Sequence, residues 1–322
     1  MMFVNSQEAG ELLLNRNNIL ILAHKNPDGD TLGSSYALLR ALKKLDKRAR
    51  VECADKIDAK YKYLYSGIKQ DKFEPEYIVA VDVADEKLLG DSLREQYSGR
   101  IDLCIDHHPS NTLYARKVCL HPEDAAAAQG IYRIIRRMKV RIDPEIADCI
   151  YTGIATDTGC FRYSNTQAAT HMIAAQMMDE GADASEINIS MFETKPLGYF
   201  KLLSAAIAGV QMFFKDECAV ITITQDMFAK TGTDESDCEA IAAVARQIAG
   251  VKVGITMREK ADGTWKFSVR TYAPADAAKI CKALGGGGHM RASGCESKKP
   301  KKDALADILK AAEDELAEHG LL

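Results

Sequence analysis

The sequence predicts an α/β protein: an N-terminal, mostly parallel sheet flanked by helices, followed by a smaller C-terminal α/β domain. Three observations predict it. Short, continuously apolar runs alternate with segments of helical period through the first half, as strands buried on both faces by crossover helices do. Past residue 215 an alternating strand and a hairpin pattern begin a new unit. The length of 322 residues, 47% of them hydrophobic, suffices for two ordinary domains.

Residues 18–23 (Asn-Ile-Leu-Ile-Leu-Ala) read as a buried strand, and Leu32, Tyr36, Leu39 and Leu42 mark one face of a helix over 32–43. Residues 77–83 and 101–105 repeat the strand signal, and helical patterns cover 125–138, 144–156 and 167–180. The stretch 186–215, broken by Pro196 and Gly198, reads as a helical linker between domains at 1–185 and 216–322. In the second domain, 218–224 alternates as a strand and 235–249 looks helical. The turn at Ala261-Asp-Gly263 joins strands 251–258 and 265–272 into a hairpin. A helix over 274–284 runs into a glycine-rich loop, and a charged amphipathic helix ends the sequence.

Composition narrows the function classes. With 42 basic and 46 acidic side chains the net charge is -4, which offers no global attraction for phosphate, so a wholesale basic nucleic-acid binder is not expected. Nine scattered cysteines without a CxxC pair suit free thiols in a reducing cytoplasm better than a disulfide framework. No run approaches the ~20 apolar residues of a membrane span, and the first residues lack the pattern of a signal peptide. A cytoplasmic protein without a membrane partner is expected.

Chemistry concentrates where strands or helices give way to loops. After the first strand comes His24-Lys-Asn-Pro-Asp28-Gly-Asp30, in which Pro27 and Gly29 permit a tight turn that converges several side chains. The ordinary alternative is a solvated turn with Asp30 near the cap of the next helix. Asp82 lies inside an apolar run, where an uncompensated carboxylate is costly and a cation is the simplest partner. The third strand ends in Asp106-His107-His108, and a helical pattern ends in Thr156-Asp157-Thr-Gly159. Each cluster alone has a structural explanation, whereas four together do not. A set of Asp and His donors without cysteine suits Mn²⁺, Mg²⁺ or Co²⁺.

In their order and spacing these motifs resemble the DHH phosphoesterase superfamily, and Gly285-Gly-Gly-Gly-His289-Met-Arg-Ala-Ser-Gly294 resembles the signature of its DHHA1 partner domain. The resemblance implies two Mn²⁺ ions, with Mg²⁺ or Co²⁺ as substitutes: one held by His24, Asp28 and Asp82, the other by Asp30, Asp82, His107 and Asp157. It implies that Asp106 orients an imidazole and that His108 meets the substrate as phosphate contact or proton donor. It assigns Gly286, Gly287, Gly288 and His289 to substrate binding, and Arg270 is a candidate phosphate clamp. Length and domain order are similar to those of the branch that degrades short oligoribonucleotides of two to five nucleotides and dephosphorylates 3'-phosphoadenosine 5'-phosphate (pAp). The implied reaction is attack of an activated hydroxide on phosphorus in a cleft between the domains. A cyclic-dinucleotide phosphodiesterase acting on c-di-AMP or linear pApA is the alternative. A catalytically silent nucleotide-binding regulator is the competing class, and the complete donor set argues against it.

Other features read as structural. The run at Ser297 to Lys302 has the look of the phosphate-binding segment of family II pyrophosphatases, but Pro300 interrupts it and a solvated basic turn is expected. Arg133, Arg136 and Arg137 are expected to face solvent, Trp265 to lie in the core, and Met177 and Met178 to pack. A homodimer is the default expectation for such an enzyme.

Overall fold

The computed structural model describes residues 2–322 and divides into two compact units, one ending at Thr194 and the other spanning Lys195–Leu322. Among the described residues of the first unit, six strands form one sheet: β1 (Met2–Phe3), β2 (Ile19–Leu22), β3 (Ala49–Glu52), β4 (Tyr77–Val81), β5 (Leu103–Asp106) and β6 (Lys117–Leu120). Their spatial order is β1-β6-β5-β4-β2-β3, and every pairing is parallel. The apolar runs become strands because both faces are covered. Ile19, Ile21, Val79, Val81, Leu103 and Ile105 enter one core, whereas Leu20, Leu22, Ile78, Ala80 and Cys104 enter the other.

The strand order creates the site's location. From β2 the chain moves outward to β3, then returns past β2 to β4 and continues the opposite way through β5 and β6. The order therefore reverses between the neighbours β2 and β4, and ligands of open α/β sheets bind beyond the carboxyl ends of strands at such a point. Helices α1 (Ser6–Leu14), α2 (Gly29–Lys44), α3 (Ala127–Arg137), α4 (Pro144–Asp157) and α5 (Ala168–Asp179) flank the sheet. Contact between α2 and α4 is close because it is lined by glycine. A Cβ on Gly33 would strike the Cys149 carbonyl oxygen, and one on Gly153 would come within 2.7 Å of Ala128 Cβ and Asp30 Oδ1.

The residues read as a linker are shared between the units. Ile187 and Met191 enter the first unit's core. Helix α6 (Leu197–Ala208) buries Leu202 and Ala206 against Ala219 and Ile221 of the second. The second unit's sheet contains β7 (Gln211–Phe213), β8 (Cys218–Ile223), β9 (Val253–Glu259), β10 (Trp265–Thr271), β11 (Gly287–His289) and β12 (Ala292–Ser297), in the order β11-β12-β10-β9-β8-β7. The hairpin appears as the antiparallel pair β9–β10, and among the described pairings of this second sheet only β8–β9 is parallel. Helices α7 (Ala277–Ala283) and α8 (Lys301–Glu318) cover one face.

Several expectations fail locally. Residues 235–249 form three short helical pieces rather than one helix. The Thr256 hydroxyl donates to the Ala242 carbonyl at 3.4 Å, and Arg246 lies against Gly254, so β9 competes for backbone that a helix would use. The glycine run is not a loop throughout: Gly287–His289 pairs with β12 as the edge strand β11. Arg133 is half-buried and paired with Asp124 rather than free in solvent, and Met178 is 54% exposed beside fully buried Met177. Trp265 is buried, with the Lys301 ammonium 5.9 Å from its ring centroid. In the basic turn, Lys299 pairs with Asp307 at 2.7 Å.

Candidate metal centre

The loop after β2 divides its two acids between different tasks. Asp28, and not Asp30 as the ordinary alternative had it, caps α2: its Oδ1 accepts from the N–H groups of Asp30 at 3.0 Å and Thr31 at 3.1 Å. Asp30 turns inward and is almost wholly buried. Its Oδ2 accepts from Ala127 N–H at 2.6 Å, and its Oδ1 accepts from Ala128 N–H and the Ser34 hydroxyl, each at 3.0 Å. The N-cap of helix α3 is Ala126, which has no capping side chain, so Asp30 supplies the anion that the helix N-terminus favours.

Asp82 follows the last residue of β4 and adopts φ +60°, a left-handed conformation that Asp tolerates better than most residues. It is 3% exposed. The two oxygens face different partners: Oδ2 lies 3.7 Å from His24 Nε2, and Oδ1 lies 3.6 Å from His107 Nε2. His24 Nε2 is also 3.6 Å from Asp28 Oδ1. His107 Nε2 is 3.8 Å from Asp30 Oδ2 and 3.5 Å from Asp157 Oδ2. The structure thus gathers His24, Asp28 and Asp82 in one group, Asp30, His107 and Asp157 in another, and Asp82, His107 and His108 in a third, each with ligand atoms within 4.8 Å of one another, close enough to share a metal ion. Asp157 is the last residue of α4, where the helix dipole disfavours a carboxylate.

Both imidazoles are held with Nε2 toward the acids. Nδ1–H of His24 donates to the Lys25 carbonyl at 2.7 Å, and Nδ1–H of His107 donates to the Asp124 carbonyl at 3.0 Å. Asp82 Oδ1 and His107 Nε2 have no hydrogen-bond partner although both are buried, a costly state for polar atoms. The carboxylates raise one another. Burial, then the charges of Asp30, Asp28, Asp157 and Asp106, hold the Asp82 carboxyl well above the ordinary range. Burial, then the charges of Asp30 and Asp28, push Asp157 up to about 8 against the opposing pull of His108 and His24. Asp30 is also raised, chiefly by burial, although His107 counters it. Orphaned donors and mutually repelling acids are what a divalent cation would relieve, and this donor set fits one.

Asp106 stands apart. It accepts from His108 Nδ1 at 2.8 Å, from the His107 N–H at 2.8 Å and from Asn111 Nδ2 at 2.6 Å. Burial works to raise its carboxyl, but His108 and these donors hold it below the usual range. Burial likewise opposes a charged His108, and the Asp106 carboxylate overcomes it. The orienting roles of Asn111 and of the Lys25 and Asp124 carbonyls are absent from the sequence reading. Carbonyl groups belong to every residue, so no sequence signal marks them; Asn111 follows Asp106-His107-His108 closely and could have been noticed.

The remaining candidates lie on the second unit. Arg270 on β10 and His289 on β11 both pair with Ala292 of β12, from opposite sides. Arg270 is half-buried, with its guanidinium donating to the Val269 carbonyl at 3.1 Å. Gly287, Gly288 and His289 are exposed on the terminal strand of the sheet. Gly286 and Gly288 press against β12 so closely that a Cβ on either would strike it.

A parallel sheet with an acid–histidine cluster at its switch point, followed by a mixed-sheet unit, defines a class, and the chain belongs to the DHH family of phosphoesterases. The model of the DHH family N-terminal domain matches residues 18–154, and that of the DHHA1 domain matches 216–318. The chain is 30% identical to the bifunctional oligoribonuclease and PAP phosphatase NrnA of Thermus thermophilus, over 94% of this chain and 92% of that one. It is 25% identical to the protein of the same name from Bacillus subtilis, over 86% and 88% of the two chains. An exopolyphosphatase-related protein from Bacteroides fragilis shares the fold, with a TM-score of 0.88 and 24% identity over 96% of each chain.

Proposed function

We propose that this chain is a two-metal phosphoesterase that degrades short oligoribonucleotides to mononucleotides and dephosphorylates pAp to AMP. The observation that carries the reading is Asp82, whose two oxygens face two separate donor groups through His24 and His107. His24, Asp28 and Asp82 would hold one ion, and Asp30, Asp82, His107 and Asp157 the other. Oxygen and imidazole donors without thiolate favour Mn²⁺, with Mg²⁺ or Co²⁺ as substitutes. When bound, such ions make water more acidic and neutralise charge on phosphoryl oxygens. The names of the NrnA relatives support the substrate class.

His108, hydrogen-bonded to Asp106 through Nδ1, would meet the substrate as a phosphate contact or as proton donor to the leaving oxygen. The exposed edge strand Gly287–His289, with two residues that carry no side chain, would let a terminal phosphate approach the backbone closely. Arg270, with the fork geometry that phosphate prefers, would clamp it. Catalysis is thereby assigned to residues 1–185 and substrate reading to 216–322. Free cysteines are consistent with a cytoplasmic setting, and among the described residues no helix is long and apolar enough to cross a membrane.

A hydrolysis panel at fixed Mn²⁺ concentration tests this. It contains pAp, 5'-phosphorylated RNA of two, five and twenty-four nucleotides, linear and cyclic diadenylate, and pyrophosphate. Fast turnover of pAp and the shortest RNAs is expected, with the long RNA lagging. Preference for cyclic diadenylate would replace the substrate assignment, and no turnover of any phosphoester with metal bound would refute it.

A further inference from the structure

The turn between β6 and α3, residues 121–126, holds none of the proposed metal donors, yet its Asp124 carbonyl accepts the Nδ1 proton of His107. That bond places the ring proton on Nδ1 and leaves the Nε2 lone pair facing Asp30, Asp82 and Asp157. The turn is braced from several directions. Asp124 N–H donates to the His121 carbonyl, and His121 N–H donates to the Asp106 carbonyl, both at 3.0 Å. Asn165 Nδ2 donates to the carbonyls of Ala125 and Asp157, each at 3.1 Å, and Gln167 Nε2 donates to the Glu123 carbonyl at 2.9 Å. A charged brace comes from α3: the Arg133 guanidinium pairs with the Asp124 carboxylate, whose side chain is 11% exposed.

We propose that Arg133 is a positioning residue for His107: by anchoring the Asp124 side chain, it holds the carbonyl that sets the tautomer and direction of the imidazole. The inference rests on the metal-centre reading above. The physical reason lies in where the restraint acts. The acceptor is a backbone atom, so its position depends on what immobilises the turn. An ion pair with one partner largely out of water restrains a side chain more firmly than an exposed pair. Releasing Arg133 leaves Asp124 an unpaired, mostly buried carboxylate, and the turn must shift to hydrate it.

The test uses the full-length protein, stripped with EDTA, as wild type, Arg133→Met, Arg133→Lys and Asp124→Asn. Two quantities are read: Mn²⁺ affinity by titration calorimetry, and the His107 tautomer from long-range proton–nitrogen correlations. Arg133→Met should bind Mn²⁺ roughly 10- to 100-fold more weakly, the usual effect of losing a group that orients a metal-ligating histidine, and should show mixed His107 tautomers. Arg133→Lys should recover most of the affinity and a single tautomer. Asp124→Asn keeps the carbonyl while weakening the pair, so it decides the matter should Arg133→Met fail to fold. Unchanged affinity and tautomer in Arg133→Met, or in Asp124→Asn, would overturn the inference. Wild-type protein that binds no Mn²⁺ would instead overturn the metal reading, and the tautomer would still report on Arg133.

Discussion

Asp82 Oδ1 and His107 Nε2 lie 3.6 Å apart, both buried and neither engaged in a hydrogen bond. The gap is too long for direct bonding and suits two groups that share a third partner. The pair links the two donor groups, because the other Asp82 oxygen faces His24.

Asp82→Asn should therefore separate activity from stability. Turnover should fall by on the order of 10³-fold or more, since the ions supply several kcal/mol of transition-state stabilisation, and Mn²⁺ stoichiometry should drop. The metal-free variant should melt no lower than the metal-free wild type, because the substitution removes a buried carboxylate that its neighbours repel. Calorimetric melting with and without EDTA checks this, and a variant that melts clearly lower without metal would contradict the site's electrostatics.

The metal-free protein should lose stability as pH rises from 5 to 8. The folded-state pKa values of Asp30, Asp82 and Asp157 are raised. Folding is then favoured by their protonated forms below the ordinary carboxylate value of about 4. That contribution is lost as pH climbs through the folded values, which for Asp157 is about 8. His24 and His108 are also raised and act with the same sign above their ordinary value, whereas His121, held low by burial and Arg133, opposes them below it. Asp28 and Asp106 are held low, so their stabilisation is complete above about pH 4 and constant in this window. Urea unfolding at pH 5, 6.5 and 8 measures the slope, and saturating Mn²⁺ should flatten it.

Asp106→Asn should leave Mn²⁺ stoichiometry intact while lowering kcat by about 10²- to 10⁴-fold, the range for a displaced general acid. The amide still accepts one hydrogen bond but no longer favours a charged His108. Loss of both ions would place Asp106 among the ligands instead.

Gly33→Ala should destabilise the protein by about 1–3 kcal/mol, the usual cost of overpacking, because its methyl group meets the Cys149 carbonyl. Pushing α4 from α2 also moves Asp157 from Asp30, so Mn²⁺ affinity should fall although no donor is changed. Denaturant titration and calorimetry test the two effects separately.

The strands, and the acids and histidines that the structure brings together, were legible because each has a chemical signature of its own. Continuous apolar runs announced β2, β4 and β5, and an acid inside such a run announced Asp82, which the structure puts just past the end of β4. Short or polar edge strands such as Met2–Phe3 and Gly287–His289 were not legible, since their pairing is set by a partner strand and not by their own residues. Arg133 was misread for a similar reason: on a helix pattern it resembles Arg136 and Arg137, and only the turn bearing Asp124 distinguishes it.

What the sequence by itself determined is the inventory of acids and histidines, the order of motifs and the alternation of strand and helix, all of which depend on residue type and local spacing. Only the tertiary structure decided which oxygen of Asp82 faces which histidine, that Asp28 caps α2 while Asp30 serves α3, and that backbone carbonyls aim both imidazoles. Those relations join residues up to 98 positions apart. They depend on the strand order and on helices brought close by Gly33 and Gly153, which place distant carboxylates within a few ångströms of one another.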